Sequence, residues 1–142
     1  MNEEMRILCV EDSDLDHECV ERSLKKLKIT NEIVRARDGE GALEIMRGNS
    51  TTDALCKPYV VLLDLNMPKM SGVEFLEEIR KDNSLRNTPV FVLTTSDHRR
   101  DVEAAYEQNI CGYITKPIKR DEMLKAMETL NAYWTLCVFP GA

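Results

Sequence analysis

The sequence predicts an α/β fold, a doubly wound parallel sheet of five strands with helices on both faces. Short apolar runs alternate with amphipathic stretches along the 142 residues, and clusters of turn residues separate them. The run Tyr59–Leu63 is apolar at every position, which indicates a central strand that is covered on both sides. Strands and helices that alternate in this way are joined by right-handed crossovers, so the sheet is expected to be parallel.

Four further runs are predicted to be strands. They span residues 7–10, 33–36, 90–93 and, with the weakest pattern, 112–114. The first helix is predicted to begin after Ser13, a capping residue that is followed by Asp14 and Asp16 in the first turn. Its apolar positions are expected at Leu15, Cys19, Leu24 and Leu27.

Start signals and apolar spacing also predict the later helices. A short second helix follows Asp38, the third begins at the capping box of Ser71 and Glu74, and the fourth begins at Ser96. The last helix is expected to bury Leu124, Met127, Leu130 and Trp134 on one side.

The C-terminal segment is apolar beyond the last predicted helix. We assign residues 1–134 to one domain and residues 135–142 to an apolar extension. Exposure of Leu136, Val138 and Phe139 together with Trp134 would create an adhesive patch. Three arrangements stay open: the extension folds back onto its own domain, forms a homodimer interface, or is disordered.

Charge and composition disfavour several classes of protein. The net charge is -6 and the pI is about 5.0, which argues against a nucleic-acid-binding surface. The five cysteines are odd in number and lack C-x-x-C spacing, so neither a disulfide framework nor a cysteine metal site is indicated. No apolar run approaches the ~18 residues of a membrane span, and no secretory signal is visible. We therefore expect no membrane or nucleic-acid partner and a reducing, cytoplasmic setting.

Polar residues follow the strands at the sheet edge where ligands bind in folds of this kind. Glu11 and Asp12 follow the first strand, Asp64 the third, Thr94 the fourth and Lys116 the fifth. Because the carboxyl ends of parallel strands share one edge, three carboxylates, a hydroxyl and an ammonium group are expected to meet there.

The chemistry of this set of side chains is specific. Three neighbouring carboxylates repel one another and need a cation, and hard oxygen ligands with room for water suit Mg²⁺. A lysine adds a positive charge for phosphate oxygens, and a carboxylate can accept a phosphoryl group covalently. The residues therefore indicate phosphoryl transfer at a Mg²⁺ site.

This ordered set resembles the response-regulator receiver family of two-component signalling over residues 6–134. The segments 64–72 (DLNMPKMSG) and 112–117 (GYITKP) resemble the phosphoacceptor loop and the lysine segment of that family. The resemblance implies the flavodoxin-like strand order 2-1-3-4-5. It also implies a regulator, not an enzyme, which assists only its own phosphorylation and dephosphorylation.

The resemblance gives a role to each residue of the predicted metal site. Asp64 would accept the phosphoryl group from the phosphohistidine of a histidine kinase. Asp12 and Asp64 would bind Mg²⁺ through their side chains, Glu11 mostly through water, and Asn66 through its backbone carbonyl. Lys116 would pair with the phosphoryl oxygens.

The resemblance also implies a switch. Thr94 would bind the phosphoryl group after transfer and move its loop, and the ring of Tyr113 would change its burial as that loop moves. The bond between Lys116 and Pro117 would be a cis peptide. The signal would leave through the fourth helix, fifth strand and fifth helix toward a downstream protein target.

The apolar segment 132–140 and the stretch 93–96 (LTTS) give a narrower resemblance, to the small single-domain regulators that are paired with bacterial phytochromes. The sequence ends at residue 142, which leaves no room for a DNA-binding or enzymatic output domain. We therefore expect a phytochrome-type histidine kinase as the partner and a signal that leaves through a protein contact.

Simpler explanations stay open for single residues. Asp64 alone is typical of a capping carboxylate, the functional hydroxyl belongs to either Thr94 or Thr95, and Tyr113 fits an ordinary half-buried aromatic equally well. Two other functions compete. An aspartate-nucleophile phosphatase is disfavoured because position 66 is Asn, where those enzymes carry a second Asp. A scaffold that is never phosphorylated is disfavoured by the intact acidic set.

Overall fold

Strands and helices alternate along the part of the chain that the computed structural model describes, residues 5–117 and 119–140. In chain order the elements are β1 (Arg6–Val10), α1 (Asp14–Lys26), β2 (Ile33–Ala36), α2 (Gly39–Arg47), β3 (Tyr59–Leu63), α3 (Gly72–Lys81), β4 (Val90–Thr94), α4 (Arg99–Glu107), β5 (Gly112–Thr115) and α5 (Arg120–Leu136).

The strands form one parallel sheet in the order β2-β1-β3-β4-β5. The predicted fold class and strand order are confirmed. Val10 pairs with Leu63, and Leu63 pairs with Val92, so β1, β3 and β4 reach the carboxyl edge side by side. Thr94 pairs with Thr115 at the same edge. The residues that follow these strands are therefore neighbours in space.

Successive residues of the central strands enter two apolar cores on opposite faces of the sheet. Val61 and Leu63 pack in a core with residues of α2, α3 and α4. Val60 and Leu62 pack in a second core with residues of α1 and α5. All of β3 is buried, as its uniformly apolar sequence predicts.

The buried face of α1 differs from the prediction. Leu15 is 73% exposed, whereas Val20 and Leu24 are buried in the core with α5. Val20 and Leu24 are one turn apart and share a face, while Leu15 lies roughly 140° from Val20 and roughly 180° from Leu24 around the helix at 3.6 residues per turn. Packing against α5 therefore selects a face that excludes Leu15.

Two helix boundaries also differ from the prediction. The fourth helix was expected to start at Ser96, but α4 begins at Arg99. Ser96 is buried, and its hydroxyl donates to Asp101 instead of capping a helix that starts directly after it. In α5 the buried positions are Met123, Met127, Leu130 and Trp134, so Met123 takes the place that was predicted for Leu124.

The expected cis peptide bond before Pro117 is not found. Within the described residues the cis bond precedes Pro58, not Pro117. The trans form is the lower-energy default for a bond to proline, and the Lys116 segment follows that default.

The end of the chain combines burial and exposure. Trp134 is 1% exposed, and Phe139 packs against the core of α1 and α5. Leu136 and Val138 are 86% and 93% exposed. The division at residue 134 stays a prediction: α5 runs on to Leu136, and residues 1–4 and 141–142 lie outside the described residues. No helix of the described residues is long and apolar enough to cross a membrane.

Replacing Trp134 by alanine tests the contribution of the C-terminal turn of α5 to the core. The indole packs edge-on to Phe91 with ring centroids 6.2 Å apart. We expect Trp134→Ala to lower the free energy of unfolding by about 3–5 kcal/mol, measured by urea denaturation. Leu136→Ala, at an exposed position of the same turn, should change it by less than about 0.5 kcal/mol. Equal losses would show that the turn does not pack as described.

Candidate functional site

The predicted site residues meet at the carboxyl edge of the sheet. Glu11 and Asp64 are 5% and 6% exposed, and Thr94 is completely buried. Asp12 is exposed beside them. One carboxylate oxygen from each of Glu11, Asp12 and Asp64 lies within 4.8 Å of the other two. The convergence that the sequence predicts is present.

This carboxylate cluster fits a hard divalent cation. Carboxylate oxygens are the ligands that Mg²⁺ and similar ions prefer, and an exposed member such as Asp12 leaves room for water. Burial raises the pKa of Glu11 to about 7, although the hydrogen bond from Lys116 acts in the opposite direction. The neighbouring Asp64 raises the pKa of Glu11 further. A cation at the cluster would relieve this repulsion between like charges.

Lys116 supplies the positive charge of the site. Its Nζ lies 2.6 Å from Glu11 Oε1, 2.8 Å from Asp16 Oδ2 and 3.2 Å from Asp64 Oδ2. Burial alone would lower the pKa of Lys116, but the hydrogen bonds to Asp16 and Glu11 raise it overall. The lysine is therefore a fixed cation beside Asp64.

Hydrogen bonds orient the carboxylate of Asp64. Its Oδ1 accepts a hydrogen bond from the Thr94 hydroxyl at 2.8 Å and another from the backbone N–H of Asn66 at 3.1 Å. The hydroxyl of Thr95 instead pairs with the Asn66 side chain at 3.3 Å. Of the two candidate hydroxyls, that of Thr94 is the one bonded to Asp64. Metal binding through the Asn66 carbonyl stays a prediction.

The loop after β1 is held from both sides. Ser13 caps α1 by accepting from the Asp16 amide, and its own amide donates to Glu11 Oε2 at 3.2 Å. Arg35 from β2 donates through two guanidinium nitrogens to the Glu11 carbonyl, at 3.0 and 3.3 Å. These bonds fix the direction in which the Glu11 carboxylate enters the site.

Gly72 allows α3 to start directly against the loop that follows β3. A Cβ atom at this position would lie 2.6 Å from Leu65 Cα and 2.8 Å from the Asp64 carbonyl oxygen. The Gly72 amide donates to the Leu65 carbonyl at 2.9 Å. The predicted capping box of Ser71 and Glu74 is present and starts the helix here. No larger residue fits this approach without moving the backbone around Asp64.

Ser96 connects Thr94 with Tyr113. The Ser96 amide lies 3.5 Å from the Thr94 hydroxyl, and the Ser96 carbonyl accepts from the Tyr113 hydroxyl at 2.8 Å. Tyr113 is half-buried and packs against the core of α2, α3 and α4. A displacement of the Thr94 loop would therefore change the hydrogen bond of the tyrosine.

Three residues of the site escaped the sequence analysis. Asp16 was interpreted only as a first-turn acid, Ser96 as a helix start, and Arg35 as an ordinary strand residue. For Arg35 the available signal is the alternation of side chains along a strand, and for Asp16 it is the spacing of one helical turn from Asp12. Neither signal identifies the residue that Arg35 or Asp16 contacts.

A comparison with models of known protein families identifies the family of this chain. The family model described as the response regulator receiver domain matches residues 7–128. The chain belongs to the response-regulator receiver family. Receiver domains are regulators in two-component signalling that are phosphorylated on an aspartate, and they interact with histidine kinases.

Individual relatives cover the receiver domain almost completely. Response regulator Rcp1 from Synechocystis sp. is 37% identical over 128 residues, which cover 90% of this chain and 87% of Rcp1. The crystal structure of the Mn²⁺-bound form of Rcp1 matches with a TM-score of 0.85 at 35% identity, over 95% of this chain and 98% of that one. Receiver domains thus bind divalent metal, and the carboxylate cluster of this one fits such an ion.

A second solved structure is that of the phosphorylated cyanobacterial phytochrome response regulator RcpA. It matches this receiver domain with a TM-score of 0.88 at 30% identity, over 96% of this chain and 99% of RcpA. Phytochrome-associated single-domain regulators are therefore among its close relatives, as the sequence resemblance predicts.

Replacing Gly72 tests the close approach of α3 to Asp64. We expect Gly72→Ala to lower the free energy of unfolding by more than about 1 kcal/mol in urea denaturation, because the added Cβ meets backbone atoms. Gly112→Ala is the matched control, since its Cβ would meet only a Phe91 ring atom at 3.7 Å. That variant should keep or gain stability. A Gly72→Ala variant as stable as the control would contradict the described geometry.

Proposed function

We propose that this receiver domain accepts a phosphoryl group on Asp64, with Mg²⁺ bound at the carboxylate cluster, from a histidine kinase. The observation that carries the proposal is the environment of Asp64. Its buried carboxylate lies 2.8 Å from a hydroxyl and 3.2 Å from an ammonium group, and two further acids stand beside it. Together these groups can stabilise the negative charge on a transferred phosphoryl group.

The proposed transfer forms a bond between a carboxylate oxygen of Asp64 and phosphorus. The phosphorus–nitrogen bond of a phosphohistidine breaks, and the imidazole leaves with the bonding electron pair. Asp12 and Asp64 would hold Mg²⁺ through their side chains, Glu11 mostly through water and Asn66 through its backbone carbonyl, and the ion would supply positive charge for the transferred oxygens. Lys116 pairs with the oxygens that face β5.

The proposed switch begins at Thr94. In the unphosphorylated structure its hydroxyl is committed to Asp64, and phosphorylation offers that hydroxyl new oxygen acceptors. The Ser96 amide and carbonyl then move with the loop, and the carbonyl is the partner of Tyr113. The change reaches the surface of α4, β5 and α5 as a shift between two arrangements of the loop. A downstream protein would recognise that surface.

The proposed kinase is of the phytochrome type. This proposal rests on the likeness to RcpA, which is itself a phytochrome response regulator. The homodimer also stays a prediction. It is supported by the exposed side chains of Tyr133, Leu136 and Val138 at the end of α5 and in the tail, because apolar side chains of this size favour a protein contact.

Phosphorylation by a small donor tests the role of Asp64. Incubation with acetyl phosphate and Mg²⁺ should add one phosphoryl group to the wild type, detected by intact-protein mass spectrometry. Asp64→Asn should remain unmodified, and chelation of Mg²⁺ should abolish the reaction of the wild type. Asp82→Asn is the control for removal of an acid away from the site, and it should react like the wild type. Equal modification of Asp64→Asn and wild type would reject the assignment.

Phosphotransfer profiling tests the partner. The receiver domain is mixed briefly with each purified, phosphorylated histidine kinase of its source organism, and the label on Asp64 is followed over time. We expect the fastest transfer from a kinase with a phytochrome sensor. Faster transfer from a kinase of another class would reject the phytochrome pairing and leave the Asp64 assignment intact.

A further inference from the structure

Lys116 makes one close contact that the transfer reaction, as proposed, does not use. Its Nζ lies 2.8 Å from Asp16 Oδ2, closer than the 3.2 Å to Asp64 Oδ2. Asp16 belongs to the first turn of α1. Within the described residues it is not a member of the carboxylate cluster of Glu11, Asp12 and Asp64. Its side chain therefore acts on the site through the lysine.

We propose that Asp16 is a positioning residue for phosphoryl transfer, because it holds the ammonium group of Lys116 so that one N–H is directed at Asp64. This inference rests on the proposed function of Asp64. It concerns the orientation of the lysine and not the binding of the metal.

The number of donors and acceptors supports this role. An ammonium group has three N–H donors and no acceptor. Three carboxylates surround Nζ, at 2.6 Å for Glu11, 2.8 Å for Asp16 and 3.2 Å for Asp64. Asp16 accepts a hydrogen bond from Nζ, and Glu11 pairs with the ammonium group on the side of β1 and α1. The hydrogen bond that Nζ donates to Asp64 Oδ2 is thereby directed at the position that the phosphoryl group would occupy.

The need for a second anchor follows from the lysine side chain. Its four-carbon stem is flexible and its donors rotate, so a single contact with Glu11 leaves their direction undefined. Both Asp16 and Lys116 line a groove of about 730 Å³ between α1 and α5. Without the Asp16 carboxylate, water in that groove would compete for the ammonium group. The ammonium would then spend less time directed at Asp64.

Loss of Asp16 should therefore slow the reaction without unfolding the protein. The Asp16 side chain is 39% exposed, and its amide, not its carboxylate, takes part in the cap of α1. We expect Asp16→Asn to be phosphorylated about tenfold more slowly by acetyl phosphate at saturating Mg²⁺. The reason is that the variant loses the charge-assisted hydrogen bond that positions Lys116. Asp16→Glu should recover most of the rate because it keeps the carboxylate.

The matched control is Glu18→Gln. Glu18 lies on the same helix and carries the same charge, but it pairs with Arg22 at 2.6 Å. This variant should react at the wild-type rate. In calorimetric titration, Asp16→Asn and Glu18→Gln should bind Mg²⁺ equally well, because neither changes the carboxylate cluster. The thermal unfolding of both variants is compared to exclude a general loss of structure.

A double-mutant cycle with Lys116→Ala decides whether Asp16 acts through the lysine. In that background Asp16→Asn should have no further effect on the rate, because the group that it positions is absent. The inference is overturned if Asp16→Asn reacts as fast as Glu18→Gln, if it loses the same factor without the lysine, or if it alone loses Mg²⁺ affinity. A wild type that is not phosphorylated at all would reject the proposed function, and this role of Asp16 with it.

Discussion

The ammonium group of Lys116 is the charge on which the carboxyl edge of the sheet depends. The lysine side chain is 7% exposed, and its Nζ lies within 3.2 Å of three carboxylates, from the loop after β1, from α1 and from the loop after β3. Two of these acids, Glu11 and Asp64, are as buried as the lysine, and buried carboxylates without a counter-charge are strongly unfavourable. The parallel sheet makes this pairing possible, because it brings the carboxyl ends of β1, β3 and β5 to the same edge, where the long Lys116 side chain reaches the acids.

The same edge shows how stability is divided in this fold. Replacing a buried group of charges by apolar residues often stabilises a protein, so the acidic cluster is poor support for the fold itself. The two apolar cores supply that support, from the faces of the sheet and away from its edge. The edge can therefore hold like charges close together. The pKa of Glu11 is raised there mainly by burial, and the neighbouring Asp64 raises it further.

The strands, their order and the converging carboxylates could be predicted because each strand is marked by its own local sequence pattern. A uniformly apolar run such as Tyr59–Leu63 is expected in the centre of an α/β sheet, and the residue after it must lie at the carboxyl edge. The choice between Thr94 and Thr95 required the structure, since both follow the same strand. Their hydroxyls differ only in whether they face Asp64 or Asn66.

The features that escaped prediction depend on contacts between distant segments. Leu15 fits the apolar spacing of α1, but packing against α5 decides which face is buried. Asp16 fits the electrostatic preference of a helix start equally well whether or not a lysine 100 residues away approaches it. Because the start of α1 alone explains an acid at this position, the sequence does not reveal that Asp16 also contacts Lys116.

The position of β5 at the edge of the sheet determines which surface is available for the proposed signal. Tyr113 is on this strand, and its hydroxyl reports the position of Ser96 in the loop after β4. The exposed residues Tyr133 and Leu136 lie on α5, the helix that follows the strand. Because no further strand of the described residues covers β5, a partner on this side could contact both α4 and α5. The loop after β4, which is bonded to Asp64 through Thr94, and the apolar end of the chain would then belong to one continuous recognition surface.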